Sequence, residues 1–159
     1  MRRLAVFASG SGTNFEAIAT ACERGEIPAR VVLMVCDKPG AGVVQRAAGH
    51  GVEAFVFAPK EYASKADYER EIVRRLDQAG VELVCLAGDM RIVGEQALEY
   101  GVKVFGVTIH YVDATLDGGK IISQRAFGYD GDDIAELEAR IHAVEYPLYI
   151  ETINKLLKE

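Results

Sequence analysis

The chain has 159 residues, of which 50% are hydrophobic and 26% are charged, and its formal net charge is −6. This length suits one domain with a substantial core, the negative charge argues against nucleic acid as a partner, and no segment is long and apolar enough to span a bilayer. The first residues lack the apolar region and cleavage site of a signal peptide, so we expect a cytoplasmic protein.

The three cysteines indicate whether the chain contains a disulfide or a metal site. Cys22, Cys36 and Cys85 lie in apolar runs, and none of them belongs to a C-x-x-C pair. This pattern is typical of buried free thiols rather than of a disulfide or a zinc site. We therefore expect no metal site.

A glycine-rich stretch follows the first predicted strand. The apolar run Leu4–Ala8 is too short for a helix and stops at Ser9–Asn14, after which apolar residues recur at helical spacing. Gly10 and Gly12 let the backbone turn tightly and approach a ligand closely. The unpaired N–H groups at the start of a helix suit an anion, most often a phosphate. The pattern therefore predicts a strand, a phosphate-binding loop and a helix.

Other interpretations of this loop stay open at the level of sequence. Phe15 stands where the third glycine of a G-x-G-x-x-G dinucleotide motif would be, and no Gly-Lys-Ser/Thr of a Walker A loop follows. A plain turn with Asn14 as a helix cap is one alternative. A nucleotide-binding Rossmann module is another, although only Asp37, at the end of the next predicted strand, offers a ribose-binding acid.

Buried strands and amphipathic helices alternate along the first half of the chain. Strands are predicted over 30–36, 52–57 and 81–87, and helices over 42–49 and 64–79. The connections between them are short. This alternation predicts an α/β fold with a doubly wound, Rossmann-like, mostly parallel sheet. Its ligand crevice would lie at the carboxyl ends of the first and fourth strands.

The pattern changes in the last third of the chain. Two strands, over 103–112 and 120–127, are separated by a glycine-containing turn and are expected to form an antiparallel hairpin. An acidic stretch then opens a long C-terminal helix from Ile134 towards Leu157. Pro147 falls inside this helix, so we expect a kink or break near Ala143.

Five segments carry a family resemblance. They are Ala5–Ile18, Leu86–Val93, Gly106–Asp113, Leu116–Gly119 and Arg140–Tyr149. In this order, and over essentially the whole chain, they resemble the phosphoribosylglycinamide formyltransferase family. The resemblance implies a single formyltransferase domain over residues 1–159. Such an enzyme transfers a formyl group from 10-formyltetrahydrofolate, a reduced folate, to glycinamide ribonucleotide in purine synthesis.

The same resemblance implies roles for individual residues. The loop that binds the substrate phosphate matches Ser11, Gly12, Thr13 and Asn14. The loop that binds the folate pterin matches Met90, Arg91, Ile92 and Val93. Lys65 falls where a basic residue meets the folate tail, and Glu145 matches a glutamate on the glycinamide side. Asp117 matches the aspartate that works with the catalytic histidine.

One segment of the family pattern is missing from this chain. In the family, a couple of dozen residues after the Met-Arg-Ile-Val loop include a strand that ends in Asn-x-His-Pro-Ser. Here Gly94 runs directly into Glu95, and that motif occurs nowhere. The catalytic asparagine and histidine of the family are therefore absent. Two functions follow: a formyltransferase with weak or no turnover, or a non-catalytic domain that binds phosphate or folate ligands.

A replacement for the missing residues can be sought in the next strand. Formyl transfer passes through an oxyanion, so it needs a hydrogen-bond donor and a group that moves protons. If Val102–Val112 occupies the place beside the fourth strand, Thr108 stands for the asparagine and His110 for the histidine, both on one face. Asp117 is one turn away. The alternative is a purely structural role for His110.

The missing segment also bears on assembly. Loss of a strand and part of a helix should leave apolar surface uncovered near Met90–Leu98. Apolar surface of this kind tends to be buried between subunits. We therefore expect a homodimer or a larger homo-oligomer.

Overall fold

The structure, a computed structural model, describes residues 1–88, 98–99, 101–114 and 119–158. The chain divides into two compact units, Met1–Asp89 and Met90–Glu159. That residues 1–159 act as a single domain stays a prediction. Among the described helices, none is long and apolar enough to cross a membrane.

Parallel strands and helices alternate in the first unit, as the sequence predicts. Its elements are β1 (Arg2–Phe7), α1 (Thr13–Glu23), β2 (Ala29–Cys36), α2 (Gly42–Gly49), β3 (Glu53–Val56), α3 (Lys65–Gln78) and β4 (Leu83–Leu86). The four strands form one parallel sheet in the order β3-β2-β1-β4. The predicted doubly wound, mostly parallel sheet is therefore confirmed.

Both faces of this sheet are covered, which explains the nearly continuous apolar run of β2. Every residue of β2 except Arg30 is buried. On one face, Ala5 and Phe55 belong to a core cluster against which the half-buried Ile72 and Leu76 of α3 pack. Residues of the opposite parity on β1 are fully buried as well. Strands covered on both sides lack an apolar–polar alternation, as is usual for parallel sheets.

The carboxyl ends of β1 and its two neighbours meet at one edge of the sheet. The Phe7 carbonyl accepts a hydrogen bond of 2.8 Å from the N–H of Ala87, just after β4, and the Ala8 N–H donates to Val35 of β2 at 3.0 Å. The strand order reverses here, because β2 and β4 lie on opposite sides of β1. Ligands of doubly wound folds bind at such a switch point.

The second unit contains an antiparallel hairpin and a long helix. β5 (Val104–His110) pairs with β6 (Ile121–Gly128), and α4 (Ile134–Leu156) packs against both strands. The helix begins at Asp133, whose carboxylate accepts hydrogen bonds from the N–H groups of Ala135 and Glu136 at 2.8 and 3.3 Å. The predicted hairpin and C-terminal helix are confirmed.

Of the kink or break predicted near Ala143, the break is wrong, and a kink stays a prediction. Helix α4 continues without a break from Ile134 to Leu156 although it contains Pro147. Proline removes only one donor, and Leu148, Thr152 and Ile153 are buried on the following turns, so packing keeps the helix continuous. Strand β5 forms a two-stranded sheet with β6. That β5 takes the place of the family's missing strand stays a hypothesis.

Candidate functional site

The glycine loop has a conformation that requires glycine at position 12. Gly12 caps helix α1 with φ +78°, in the left-handed region, and no side chain caps the helix. A Cβ atom at this position would lie 2.6 Å from the Cβ of Val43 on α2. Both the backbone conformation and the close approach of α2 therefore exclude a larger residue.

Helix α2 holds two consecutive carbonyl groups of the loop. The Val43 N–H donates to the Gly10 carbonyl at 3.2 Å, and Nε of Arg46 donates to the Ser11 carbonyl at 2.8 Å. In a trans peptide the N–H points opposite to the C=O. The N–H groups of Ser11 and Gly12 are therefore turned away from α2. Backbone donors presented together at a helix start form an anion-binding site.

Asn14 lies inside the helix and does not cap it. Its side chain is buried, and its Oδ1 atom has no hydrogen-bond partner among the described residues. A buried polar atom without a partner is costly. Because Oδ1 and a phosphate oxygen are both acceptors, only the NH₂ group of this amide can donate to a phosphate. Rotation of the amide by 180° would present the NH₂ group in the same place. The capping alternative for Asn14 is therefore wrong, because Gly12 occupies the cap.

Ser9 and Asp37 connect the ends of β1 and β2 beside the loop. The Ser9 hydroxyl donates a hydrogen bond to the Asp37 carboxylate, and both residues are exposed. Asp37 is thus engaged by the loop itself. A role as the ribose acid of a dinucleotide site gains no support from this contact.

A network of charged side chains lies behind the loop, and sequence reasoning missed it. Arg46 reaches the Glu16 carboxylate at 3.3 Å, and the His50 ring contacts Glu16 at 3.1 Å and Glu23 at 2.6 Å. Arg46 lies on α2, and His50, four residues later, is the C-cap of that helix. A spacing of four places side chains on one helix face. That spacing is the signal that could have revealed the pair.

The network changes the pKa of two of its members. Partial burial alone would raise the pKa of Glu16, but hydrogen bonds from His50 and Arg46 outweigh it, and the net pKa is lowered. The hydrogen bond to Glu23 is the main reason why the pKa of His50 is raised, and Glu16 adds to it against the effect of burial. The folded state therefore favours a charged His50 between two carboxylates.

His110 and Thr108 lie on strand β5. The His110 Nδ1 atom is 2.7 Å from the Tyr111 carbonyl oxygen, so Nδ1 carries the proton and Nε2 is the acceptor in the neutral ring. Gly119, with φ +102°, lies directly against the same carbonyl. The Thr108 hydroxyl accepts a hydrogen bond of 2.9 Å from Gln124. Asp117 lies outside the described residues.

The remaining predicted site residues are spread over both units. Lys65, in the first turn of α3, has a side chain that is 74% exposed and contacts Glu69 at 3.4 Å. Glu145 on α4 is mostly buried and contacts His142 at 3.1 Å, whose ring stacks on Tyr146. Met90, Arg91, Ile92 and Val93 lie outside the described residues.

The cysteines are free thiols, and they are not poised for chemistry. Cys36 and Cys85 are buried and Cys22 is half-buried. Burial raises the pKa of Cys22 to about 11 and that of Cys85 to about 12. The deprotonated thiolate is the reactive form of cysteine. Because burial raises their pKa, these cysteines stay protonated and inert near neutral pH. In the described part of the chain, no three His, Cys, Asp or Glu residues are grouped to hold a metal.

Comparison with known proteins decides the family. The sequence profile described as formyl transferase matches residues 2–96 and 93–153. A phosphoribosylglycinamide formyltransferase from Bacillus subtilis is 40% identical over 99% of this chain and 95% of its own length. The chain belongs to the formyl transferase family. The resemblance seen in the sequence motifs is therefore confirmed.

Solved structures agree with this assignment. Glycinamide ribonucleotide transformylase 1 from Geobacillus kaustophilus is 46% identical, with a TM-score of 0.90 and 99% of both chains covered. Phosphoribosylglycinamide formyltransferase from Bacillus halodurans is 41% identical, with a TM-score of 0.89 over 99% of this chain and 96% of that chain. The fold is that of these enzymes.

The comparison also agrees with the missing segment. The alignment to the Bacillus subtilis relative extends over 186 positions, whereas this formyl transferase has 159 residues. At least 27 positions of the alignment therefore have no residue of this chain. The two profile matches meet at residues 93–96, next to the point where Gly94 runs into Glu95.

Proposed function

We propose that this formyl transferase binds glycinamide ribonucleotide through its glycine loop and accepts the formyl group from 10-formyltetrahydrofolate. The observation that carries the proposal is the pair of loop N–H groups that face away from α2. Asn14 lies beside them, its buried Oδ1 atom has no partner among the described residues, and its amide offers an NH₂ group as a further donor. Ser11, Gly12, Thr13 and Asn14 would bind the phosphate. This arrangement supplies donors for an anion although the chain carries a net charge of −6.

The folate side of the proposal rests on resemblance to the relatives. Met90, Arg91, Ile92 and Val93 would hold the pterin. Lys65 suits the acidic folate tail, because its exposed ammonium group can exchange its contact with Glu69 for a carboxylate of the ligand. Glu145 would contact the glycinamide side of the substrate. The donor supplies the formyl group, and these residues bind and orient the two substrates.

Transfer of the formyl group also requires proton movement, which we assign to His110. The substrate amine must lose a proton when its new bond to the formyl carbon forms, and the folate nitrogen must gain one when its bond breaks. A ring with Nδ1 bound to the Tyr111 carbonyl offers Nε2 as the base. Asp117 would orient or tune this group, and Thr108 would donate to the oxyanion.

A second function, ligand binding without turnover, is favoured by one specific observation. No Asn-x-His-Pro-Ser sequence exists in this chain, and the alignment leaves at least 27 positions without its residues. The Thr108 hydroxyl accepts a hydrogen bond from Gln124 and has a single proton to donate, whereas the amide of an asparagine has two. We therefore propose weak turnover at most, in a cytoplasmic homodimer.

A turnover assay combined with binding titrations tests the proposal. Purified protein is supplied with glycinamide ribonucleotide and 10-formyltetrahydrofolate, and the release of tetrahydrofolate is followed. Slow, enzyme-dependent release supports the transferase. Binding of both ligands without release selects the non-catalytic function, and binding of neither overturns both. Light scattering on the same sample tests the dimer, which a monodisperse monomer at high concentration would contradict.

A further inference from the structure

Arg46 connects the glycine loop to a group of charged side chains that are not assigned to ligand binding. Its Nε atom donates to the Ser11 carbonyl at 2.8 Å, and one of its terminal nitrogens lies 3.3 Å from Glu16. The guanidinium is planar and rigid, so these two contacts fix its orientation. Arg46 is thus placed behind the loop, on the side of α2.

The contact with Ser11 determines where the next donor points. The Ser11 carbonyl and the Gly12 N–H belong to one peptide plane and point in opposite directions. As long as Arg46 holds the carbonyl, the Gly12 N–H faces away from α2. Loss of Arg46 would leave this peptide free to rotate. Gly12, which has a left-handed φ in the structure, can adopt many other backbone conformations because it is a glycine.

The guanidinium is itself held in place from α1. Glu16 lies between Arg46 and the Nε2 atom of His50, which is 3.1 Å away, and Nδ1 of His50 lies 2.6 Å from Glu23. Only 12% of the His50 side chain is exposed, and its ring forms a T-shaped pair with Phe15, with the ring centroids 5.9 Å apart. The chain of contacts therefore runs from Glu23 through His50, Glu16 and Arg46 to the Ser11 carbonyl.

We propose that Arg46 is a positioning residue for phosphate binding, and that Glu16 and His50 keep it in position. This inference rests on the proposed function, in which the glycine loop binds the phosphate of glycinamide ribonucleotide. Arg46 acts through the loop peptide, because its Nε atom donates to the Ser11 carbonyl while its Nη1 atom is held by Glu16. Its loss should weaken binding of the phosphate and leave recognition of the rest of the substrate intact.

The position of His50 makes the arrangement depend on pH. A protonated ring donates to Glu16 and Glu23 together, whereas a neutral ring has one N–H and turns a lone pair towards the other carboxylate. The ring contacts Glu16 and Glu23 of α1, and Glu16 also contacts Arg46 of α2. The other charged and titratable residues that line the same cavity as His50 are Arg3, Cys22, Arg30 and Glu53. The raised pKa of His50 is consistent with a ring held between two acids.

The test compares two ligands that differ only in the phosphate. Glycinamide ribonucleotide and glycinamide riboside are titrated calorimetrically into wild type, Arg46→Ala, Arg46→Lys and the control Arg24→Ala. Arg24 is exposed, and its closest acid, Glu26, is 4.0 Å away. We expect Arg46→Ala to weaken ribonucleotide binding about tenfold, the value of a hydrogen bond between a charged group and a carbonyl.

The same experiment separates positioning from a merely structural role. Riboside binding should be equal in wild type and Arg46→Ala, and Arg46→Lys should not restore ribonucleotide affinity, because an ammonium group lacks the rigid fork. If wild type binds both ligands equally, the loop does not bind the phosphate and the proposed function fails. If wild type prefers the ribonucleotide and Arg46→Ala keeps that preference, only the present inference is overturned.

Two further variants complete the test. If Arg46→Ala does not fold, Glu16→Gln replaces it, with an expected loss of about threefold in ribonucleotide affinity and none in riboside affinity. The ratio of wild-type to His50→Gln affinity is measured at pH 6 and 8.5, so that ionisation of the ligand cancels. Wild type should bind more tightly at pH 6, and the two should converge at pH 8.5. A ratio that does not change with pH contradicts the role of His50.

Discussion

The glycine loop and the β5–β6 hairpin hold their candidate functional groups in different ways. In the loop, main-chain atoms are fixed by Val43 and Arg46 of α2 and by the left-handed conformation of Gly12. In the hairpin, His110 has a contact to its neighbouring carbonyl, and Thr108 has one to Gln124. Anion binding by backbone N–H groups needs only local folding. Proton transfer needs a side chain placed against the substrate, so it is the more vulnerable function when a segment is missing.

The largest expected effect concerns Gly12, and Gly25 provides the matched control. Both glycines have positive φ, +78° and +74°, but only Gly12 has close neighbours; nothing lies within 4 Å of a Cβ built at Gly25. Gly12→Ala should lower the free energy of unfolding by about 2–4 kcal/mol, from backbone strain and overlap with Val43. Gly25→Ala should cost about 1 kcal/mol from strain alone. Urea denaturation measures both, and equal losses would contradict a tightly packed loop.

The next effect tests the hairpin side of the comparison. If the protein turns over, His110→Ala should lower kcat about 100-fold, because it removes a proton carrier. The affinity for glycinamide ribonucleotide should stay the same. Steady-state kinetics and a binding titration on the same preparation provide the two values. A kcat unaffected by His110→Ala would show that binding and orientation of the substrates account for all of the activity.

The residues that cap α3 and α4 allow a comparison of the two units, with a smaller expected loss of stability. Asp133 caps α4 with two hydrogen bonds, at 2.8 and 3.3 Å, whereas Ser64 caps α3 with one, at 3.3 Å. Asp133→Ala should lower the free energy of unfolding by about 1 kcal/mol, and Ser64→Ala by about half as much. Thermal unfolding followed by circular dichroism gives both values. A larger loss for Ser64→Ala would contradict the assigned caps.

The smallest expected effect is the pH dependence of stability that comes from His50. Its pKa is raised above 6.5 in the folded protein, so its contribution is fully present below pH 6.5 and is lost as the pH rises through the folded-state pKa. The stability difference between wild type and His50→Gln should therefore shrink by about 0.5 kcal/mol between pH 6 and 8.5, since both carboxylate partners are partly exposed. Urea denaturation at the two pH values measures this. A difference that grows with pH would reverse the assigned sign.

Prediction from the sequence succeeded where the signals are local. Apolar runs such as Val31–Cys36 and helix-ending glycines such as Gly49 predict the bounds of the elements of the first unit to within a few residues. Prediction failed where tertiary contacts decide. Burial of Leu148 and Ile153 keeps α4 continuous past its proline.

The candidate site shows the same division between local and tertiary signals. The glycine loop could be predicted because glycine spacing and a helix start are visible in the sequence. The contribution of Arg46 could not, because a side chain 30 residues beyond Glu16 joins the loop only when α2 packs against it. The unpartnered amide of Asn14 is likewise a property of burial and cannot be seen in the residue pattern.

Titration of glycinamide ribonucleotide into wild type and Asn14→Ala tests the central claim most directly. The variant removes a buried amide oxygen without a partner and places alanine, the best helix former, inside α1. We expect the free energy of unfolding to stay the same or increase, and the affinity for the ribonucleotide to fall about tenfold. If the role of Asn14 were packing, Asn14→Ala would instead lower the free energy of unfolding. Equal affinities in wild type and Asn14→Ala would contradict the account of the glycine loop as the phosphate site.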